Sequence, residues 1–216
     1  MIKAIIFDMN GVIVNDENIH EMAFVKTVEK YDVKLSHQDY LECCAGKTDR
    51  RGYKEIEEKF GVAFDVDALL KEKWEMYPKL FPKYKKSFDG VLELIKKLSK
   101  IYTLALTSSS SRSEIDLITK EFGVDKYFEL IISASDVKNG KPDPEPYLKT
   151  AELLNVDSKE CVVIEDSSAG VKSAKSAGCF CVAITTTHTK KDLQEADFII
   201  NYFSEINQGF IEKMGE

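Results

Sequence analysis

The sequence predicts an α/β protein in which a doubly wound parallel sheet is interrupted by an all-helical insertion. Short apolar runs recur along the chain, and they are nearly continuous rather than alternating, as in strands buried on both faces of a parallel sheet. From about residue 89 onward these runs alternate with helix-like segments, which is typical of a doubly wound sheet. Residues 15–88 differ, because they contain helix-like stretches and no convincing strand.

The strands are predicted from the apolar runs in chain order. They are Lys3–Phe7, Tyr102–Leu106, Leu130–Ile132, Cys161–Ile164 and Phe180–Ile184, with Phe198–Ile200 as a candidate sixth. Helix ends are predicted from capping residues, such as the Ser111 and Glu114 capping box and the Gly123 stop. Ser167 or Ser168 can cap a later helix that stops at Gly178.

The insertion has helix-like periodicity near 17–31, 49–60 and 66–77. Pro78 and Pro82 mark the return to the sheet, because proline disfavours the interior of a helix. We therefore predict one domain formed by residues 1–14 and 89–216, and an inserted helical domain formed by residues 15–88.

Composition narrows the function classes for this chain of 216 residues. Its net charge is −7, with 30 Lys and Arg against 37 Asp and Glu, which argues against a basic nucleic-acid-binding face. Five cysteines without a CxxC spacing indicate reduced thiols rather than zinc ligands or disulfides. No run of about 18 apolar residues occurs, so no membrane span is expected. We expect a cytoplasmic monomer that binds neither nucleic acid nor membrane.

The polar residues of interest each come just after a predicted strand. Asp8 follows the first strand, Thr107 the second, and Lys141 lies in the loop after the third, while Glu165 and Asp166 follow the fourth. In open parallel sheets ligands bind at the carboxyl ends of the strands. The sequence therefore predicts that a carboxylate, a hydroxyl, an ammonium and an acidic pair meet at one edge.

These groups suit phosphoryl transfer. A carboxylate such as Asp8 can be a nucleophile that forms an aspartyl-phosphate. Three clustered carboxylates repel one another unless a hard cation lies between them, and Mg²⁺ takes oxygen ligands. A lysine and a hydroxyl can hold the phosphate oxygens, and the helix start after Thr107 offers backbone N–H groups to an anion.

Four motifs follow the predicted strands in order along the chain. They are Asp8-Met9-Asn10-Gly11-Val12, Thr107-Ser108-Ser109, Lys141-Pro142-Asp143-Pro144 and Glu165-Asp166-Ser167-Ser168-Ala169-Gly170. With these motifs the sequence resembles the haloacid dehalogenase superfamily, in the branch of β-phosphoglucomutase and sugar-phosphate phosphatases. The resemblance spans essentially the whole chain.

The resemblance implies a Rossmann-like core, a role for each motif and a helical cap formed by the insertion. Asp8 is implied as the nucleophile. The metal site for Mg²⁺ is implied to comprise Asp8, the backbone carbonyl of Asn10, Glu165 and Asp166. The implied phosphate-binding residues are Met9, Asn10, Thr107, Ser108 and Lys141. The substrate is expected to be a small phosphorylated metabolite.

Asn10 departs from the family pattern, which has an Asp two residues after the nucleophile as general acid and base. A carboxamide neither donates nor accepts a proton at neutral pH, although its backbone carbonyl still serves a metal. We therefore predict that the chain keeps its metal and phosphate sites while its turnover is impaired.

The resemblance also implies that the insertion carries substrate-contacting residues. They are His20, Gly46, Lys47, Arg50 and Lys73. Gly46-Lys47-Thr48 imitates the end of a nucleotide-binding P-loop, but Leu41 stands where that motif needs a glycine. His188 is interpreted as a surface residue.

The leading prediction is a Mg²⁺-dependent sugar-phosphate phosphatase. A phosphomutase shares every core residue, and the sequence leaves the choice open. A non-catalytic phosphate-binding domain is the alternative that Asn10 raises. A response-regulator receiver is disfavoured because its acidic pair comes at the start of the chain, and a dehalogenase because it needs no magnesium.

Overall fold

The computed structural model describes residues 1–45 and 47–214, which form two compact units. One unit, here called the sheet unit, combines Met1–Asn15 with the chain from Ser87 onward. The other, the helical unit, is Asp16–Lys86. The chain thus passes between the units twice, once after residue 15 and once after residue 86.

The sheet unit is built on six parallel strands. Their bounds are β1 Ala4–Phe7, β2 Thr103–Thr107, β3 Leu130–Ile132, β4 Cys161–Glu165, β5 Phe180–Ile184 and β6 Phe198–Ile200. Their order in the sheet is β3-β2-β1-β4-β5-β6. The predicted fold class is confirmed, and the candidate sixth strand is β6.

The α-helices are described in chain order. They are α1 Glu17–Glu29, α2 His37–Cys43, α3 Asp49–Phe60, α4 Val66–Tyr84, α5 Val91–Leu98, α6 Arg112–Phe122, α7 Glu145–Leu153, α8 Ser168–Ser176 and α9 Gln208–Glu212. Helices α1 to α4 belong to the helical unit, and α5 to α9 to the sheet unit.

The centre of the sheet positions the polar residues that follow the strands. Strands β1 and β4 are buried along their full length, as their uninterrupted apolar sequences predict. Phe7 of β1 lies in register with both Leu106 of β2 and Ile164 of β4. The next residue in each strand direction is therefore Asp8, Thr107 or Glu165, and all three stand at one level of the carboxyl edge.

Helix ends in the sheet unit follow local capping chemistry. The Ser111 side chain accepts a hydrogen bond from the Glu114 amide at the start of α6, and the helix ends at Gly123 in a left-handed conformation. Ser167 accepts from the Gly170 amide at the start of α8. These caps fix where each helix leaves the carboxyl edge of the sheet.

The helical unit differs from its prediction in two places. Helix α2 was not predicted, because its seven residues are too few for a clear periodicity, yet Ser36 and Asp39 form a capping box there. Helix α4 continues through both Pro78 and Pro82 to Tyr84. Tyr77 and Phe81 are buried on one face while the prolines are exposed, so burial of that face outweighs the lost backbone hydrogen bonds.

All five cysteines are buried with free thiols, as predicted. Among residues 1–45 and 47–214, no helix combines the length and the apolar character that crossing a bilayer demands.

Candidate active site

Asp8 stands at the point where β1 gives way to a tight loop. Its backbone N–H still donates to the Ile164 carbonyl at 3.0 Å, so the residue is held at the edge of β4. The loop then turns back, with the Ile13 N–H donating to the Met9 carbonyl at 2.7 Å. Gly11 has φ +75°, a conformation that side chains disfavour. The loop therefore fixes the buried Asp8 carboxylate at the carboxyl edge.

Lys141 brings a buried ammonium to this carboxylate. Its Nζ donates to Asp8 Oδ1 at 2.8 Å and to Glu165 Oε1 at 2.7 Å. A third, longer bond of 3.2 Å goes to the Thr107 carbonyl. The ammonium thus joins the segments that follow β1, β2 and β4, as the strand-end argument predicts.

Glu165 is the best-anchored carboxylate of the site and is fully buried. Its Oε1 accepts from Lys141 and, at 2.9 Å, from the Tyr147 hydroxyl. Its Oε2 accepts from the Asp166 N–H and from both the N–H and the hydroxyl of Ser167. Five protein donors therefore surround this one carboxylate, which makes it a rigid anchor for the Lys141 ammonium.

Asp166 lies against the loop that follows β1. A Cβ atom placed on Gly11 would stand 2.0 Å from Asp166 Oδ2, so this close approach requires glycine. The same Oδ2 accepts a short hydrogen bond from the Thr187 hydroxyl. Oxygens of Asp8, Glu165 and Asp166 all lie within 4.8 Å of one another.

Acidic side chains outnumber basic ones in this cluster. Burial raises the pKa of Asp166 to about 8, and the charges of Asp8 and Glu165 add to the shift. Burial likewise raises the pKa of Asp8 to about 6, although the Lys141 ammonium opposes it. Burial acts against ionisation of Glu165, but the charge and hydrogen bond of Lys141, together with the bonds from Ser167 and Tyr147, hold that pKa below its usual value. Three carboxylates thus cluster here, and the Lys141 ammonium bonds two of them, Asp8 and Glu165.

A divalent cation fits this donor set. The oxygens belong to buried carboxylates, which Mg²⁺ prefers as ligands, and the cation would supply the missing positive charge. Asp8 and Asp166 are better placed as direct ligands than Glu165, whose two oxygens already accept five donors. The predicted use of the Asn10 carbonyl stays a prediction.

The two predicted hydroxyls differ in position. Thr107, the last residue of β2, is fully buried, and its Oγ1 contacts Thr150 Oγ1 of α7 at 2.7 Å. Because Thr150 donates to the Pro146 carbonyl, Thr107 must donate to Thr150. The Thr107 hydroxyl is therefore engaged with α7, and its predicted phosphate contact stays a prediction. The Ser108 hydroxyl, one residue beyond the strand, accepts from the Ser110 N–H at 3.1 Å, and its phosphate contact stays a prediction as well.

Asn10 lies in the loop after Asp8 and faces the start of α6. Its Oδ1 accepts a hydrogen bond from the Ser110 hydroxyl at 3.0 Å, and the same hydroxyl also lies 2.9 Å from Glu114 Oε1. The Ser110 hydroxyl has one proton, so Asn10 Oδ1 and Glu114 Oε1 share it.

Within the helical unit, Lys73 and His20 belong to one buried polar cluster. Lys73 has a fully buried side chain, and its Nζ donates to Asp49 Oδ1 at 2.7 Å and to His20 Nδ1 at 2.9 Å. Since Nδ1 accepts from an ammonium, a neutral His20 carries its proton on Nε2, which lies 3.3 Å from Asp16 Oδ2. This cluster gives both residues a structural role, and their substrate contacts stay a prediction.

The other predicted residues of the helical unit lie near α3. Lys47 contacts Glu55 and the Glu42 carbonyl, and Arg50 pairs with the exposed Asp67. Gly46 lies outside the described residues. Exposed pairs of this kind contribute little to stability, so these cations can exchange partners.

Two further residues of the site, Tyr147 and Thr187, lie outside the sequence predictions. Tyr147 lies on α7, donates to Glu165 and places its ring centre 5.0 Å from the Lys141 Nζ. A buried tyrosine in an apolar helix face carries no signal for this role. Thr187, in contrast, follows β5, so the rule of polar residues after strands could have found it.

A methyl group at position 170 is expected to displace the Glu165 carboxylate. Gly170 lies in the first turn of α8, and a Cβ there would stand 1.7 Å from Glu165 Oε1. Gly-to-Ala in a helix usually stabilises by about 1 kcal/mol, whereas Gly170→Ala should destabilise by about 1–3 kcal/mol through overpacking. Urea unfolding of the variant and the unmodified chain measures this difference in the free energy of unfolding.

Gly140→Ala is the matched control for this prediction. A Cβ at Gly140 meets no atom within 4 Å, so its free energy of unfolding should change by less than about 0.5 kcal/mol. A stabilised Gly170→Ala protein would contradict the placement of Glu165.

Fold and site together define a doubly wound α/β enzyme with an acidic site at the carboxyl edge of its sheet. Comparison with family models gives its family. Residues 5–184 match the haloacid dehalogenase-like hydrolase family, and the chain belongs to it.

Relatives extend this assignment over most of the chain. A phosphorylated carbohydrates phosphatase of Thermotoga maritima is 35% identical over 82% of each chain. The crystal structure of a candidate β-phosphoglucomutase from Thermotoga maritima is 31% identical, covers 92% of this chain and 94% of its own, and superposes with a TM-score of 0.82. The β-phosphoglucomutase of Clostridium difficile is 26% identical, with 99% and 97% coverage and a TM-score of 0.77. The prediction of an enzyme of the phosphatase or phosphomutase type is confirmed.

Proposed function

We propose that this chain is a Mg²⁺-dependent phosphatase that acts on a small phosphorylated sugar through an aspartyl-phosphate on Asp8. The observation that carries the proposal is the buried cluster at the carboxyl edge. There Lys141 bonds Asp8 at 2.8 Å, and oxygens of Glu165 and Asp166 lie within 4.8 Å of an Asp8 oxygen.

Asp8 acts as the nucleophile in the proposed reaction. A carboxylate oxygen of Asp8 attacks phosphorus and the bond to the sugar oxygen breaks. That oxygen takes its proton from solvent, because the Asn10 carboxamide has none to give. Water then attacks the phosphorus of the aspartyl-phosphate, which regenerates Asp8 and releases inorganic phosphate. Lys141 lies against Asp8 and would balance negative charge on the transferred group in both steps.

The phosphate is held by donors that follow β1 and β2. We assign the Ser108 hydroxyl, the Lys141 ammonium and the backbone N–H groups of Met9 and Asn10 to this role. The start of α6, capped at Ser111, adds the positive end of a helix dipole near the same edge.

Asp8 and Asp166, with the Asn10 carbonyl, would hold the cation. Bound Mg²⁺ would neutralise the clustered carboxylates and the phosphate oxygens. Glu165 is assigned a supporting role, because it anchors Lys141 at 2.7 Å and borders Asp166.

The substrate class rests on relatives. The Thermotoga relative is a phosphatase of phosphorylated carbohydrates, which favours a sugar phosphate here. Phosphomutase activity is the second candidate, because the structures of one candidate and one named β-phosphoglucomutase each cover more than nine-tenths of the chain. In a mutase a sugar hydroxyl, rather than water, takes the phosphoryl group from Asp8. The assignment of His20, Gly46, Lys47, Arg50 and Lys73 to sugar contacts stays a prediction.

The two candidates give different products. The full chain and its Asn10→Asp variant would be incubated with a panel of hexose and pentose phosphates, with Mg²⁺ or with EDTA. A phosphatase releases inorganic phosphate with Mg²⁺ and none above background with EDTA. A mutase converts one sugar phosphate into its isomer and releases little phosphate. Absence of both products across the panel would contradict the proposed function.

A further inference from the structure

The segment that follows β5 contacts both the loop after Asp8 and the Asp166 carboxylate. It consists of Thr185, Thr186, Thr187 and His188, here called the threonine segment. Ala183 of β5 lies in register with Glu165 of β4, so the segment leaves the sheet beside Asp166. It belongs to the same unit as the cluster. The four sequence motifs do not include these residues.

Two consecutive hydroxyls of this segment bond two separate parts of the site. Thr186 Oγ1 donates to the Gly11 carbonyl at 2.6 Å, in the loop after Asp8. Thr187 Oγ1 donates to the Asp166 carboxylate through a short bond to Oδ2. The segment therefore joins the loop that carries the nucleophile to the carboxylate that follows β4.

The Asp166 carboxylate is confined from two directions. The backbone of Gly11 lies so close that a Cβ there would stand 2.0 Å from Oδ2. The Thr187 hydroxyl contacts the same oxygen. An aspartate side chain has two torsions, and these contacts restrict both. They therefore fix the orientation in which the second oxygen of Asp166 can bind a cation.

The hydrogen-bond direction extends this arrangement to His188. A threonine hydroxyl has one proton, and an ionised Asp166 accepts it. His188 Nδ1 lies 2.8 Å from the same Thr187 oxygen, so it must then donate to Thr187. The order is His188 Nδ1–H to Thr187, and Thr187 O–H to Asp166. Each bond sets the orientation of the next group.

We propose that Thr187 is a positioning residue for the metal site and orients Asp166 toward a divalent cation. His188 in turn orients the Thr187 hydroxyl through its hydrogen bond. The inference rests on the proposed function, because it takes Asp166 as a metal ligand. Groups that hydrogen-bond a ligating side chain typically change metal affinity 10–100-fold when they are removed. Thr187→Val removes the hydroxyl and keeps the shape of the side chain.

The test is the affinity of the full chain for Mn²⁺, which takes the same oxygen ligands as Mg²⁺. Electron paramagnetic resonance counts the unbound ion directly and needs no turnover. Thr187→Val should raise the dissociation constant by about 10–100-fold, while Thr187→Ser, which keeps the hydroxyl, should stay near the wild-type value. His188→Leu should weaken binding in the same direction by a smaller factor.

Thr185→Val is the matched control. The Thr185 hydroxyl lies in the same segment but contacts the Ile200 carbonyl and Asn201, away from the acidic cluster. The dissociation constant of Thr185→Val for Mn²⁺ should remain within about threefold of the wild-type value, a difference in binding free energy of less than 1 kcal/mol.

Asp166→Asn separates this inference from the proposed function. If the wild type binds Mn²⁺, Asp166→Asn does not, and Thr187→Val binds as the wild type does, the positioning role is overturned and the metal site stands. If the wild type binds no Mn²⁺, or Asp166→Asn keeps full affinity, the proposed metal site is wrong and the inference with it.

Discussion

Replacing Asn10 with Asp is expected to raise sugar-phosphate turnover by about 10²–10⁴-fold, the range that a positioned acid–base group contributes. The side chain of Asn10 is already held by the Ser110 hydroxyl at 3.0 Å, and a carboxylate oxygen can keep that bond. The gain comes from a proton that the carboxamide cannot give to the departing sugar oxygen. Affinity for phosphate should change little, because Lys141 and the backbone donors are untouched.

Comparing the turnover of two substrates separates the effect of proton donation from other effects of the substitution. An aryl phosphate has a leaving group that needs no protonation, so its turnover should gain much less than that of a sugar phosphate. Asn201→Asp is the control, because it adds the same charge at an exposed position. Should Asn10→Asp change sugar-phosphate turnover by less than about threefold, under 1 kcal/mol, the assignment would be wrong. His20 would then be tested next as the proton carrier. The other alternative would be a chain that binds phosphate without catalysing its transfer.

Replacing Lys141 with Met is expected to destabilise the metal-free protein by about 3–5 kcal/mol at a pH near 8. The ammonium bonds Asp8 and Glu165 at 2.8 and 2.7 Å, and its side chain is only 7% exposed. Methionine fills similar space but leaves buried carboxylates without their partner. Urea unfolding in EDTA measures this cost without a contribution from bound metal.

The cost of Lys141→Met should shrink as the pH falls. The pKa of Glu165 is lowered by Lys141, so this pair stabilises the wild type above the ordinary pKa of 4.5 and less below it. The pKa of Asp8 is raised to about 6, so its ionisation costs stability as the pH rises through that value, and more without the ammonium. The difference between variant and wild type should therefore be larger near pH 8 than near pH 5.

Lys120→Met, at an exposed position of α6, provides the control for the lost charge. It should cost less than about 0.5 kcal/mol at either pH. An equal cost for the two variants, or a Lys141→Met cost that does not depend on pH, would contradict the buried ion-pair geometry.

The strands and the main carboxylates could be predicted because each depends on local sequence. A buried parallel strand is a short apolar run, and β1 and β4 both read that way to within a residue. The rule that ligands bind at carboxyl ends then brought Asp8, Lys141 and Glu165 together without knowledge of the strand order.

Other features depend on contacts between distant segments, which local sequence does not encode. The Thr107 hydroxyl turns toward α7 because Thr150 lies there, 43 residues further along the chain. Helix α4 continues past Pro78 because Tyr77 and Phe81 are buried, an effect that outweighs propensity. Thr187 meets Asp166 only through the pairing of β4 with β5.

The strand order also determines when the acidic cluster can form during synthesis. Asp8 leaves the ribosome first, yet one of its two neighbouring strands, β4, begins only at Cys161. The helical unit, in contrast, draws its contacts from the continuous segment Asp16–Lys86, so it can fold while the rest of the chain is still being made. A nascent chain that ends before β4 carries Asp8 and Lys141 but neither Glu165 nor Asp166. During synthesis the acidic cluster can therefore close only after β4 has been made and has filled the central gap in the sheet beside β1.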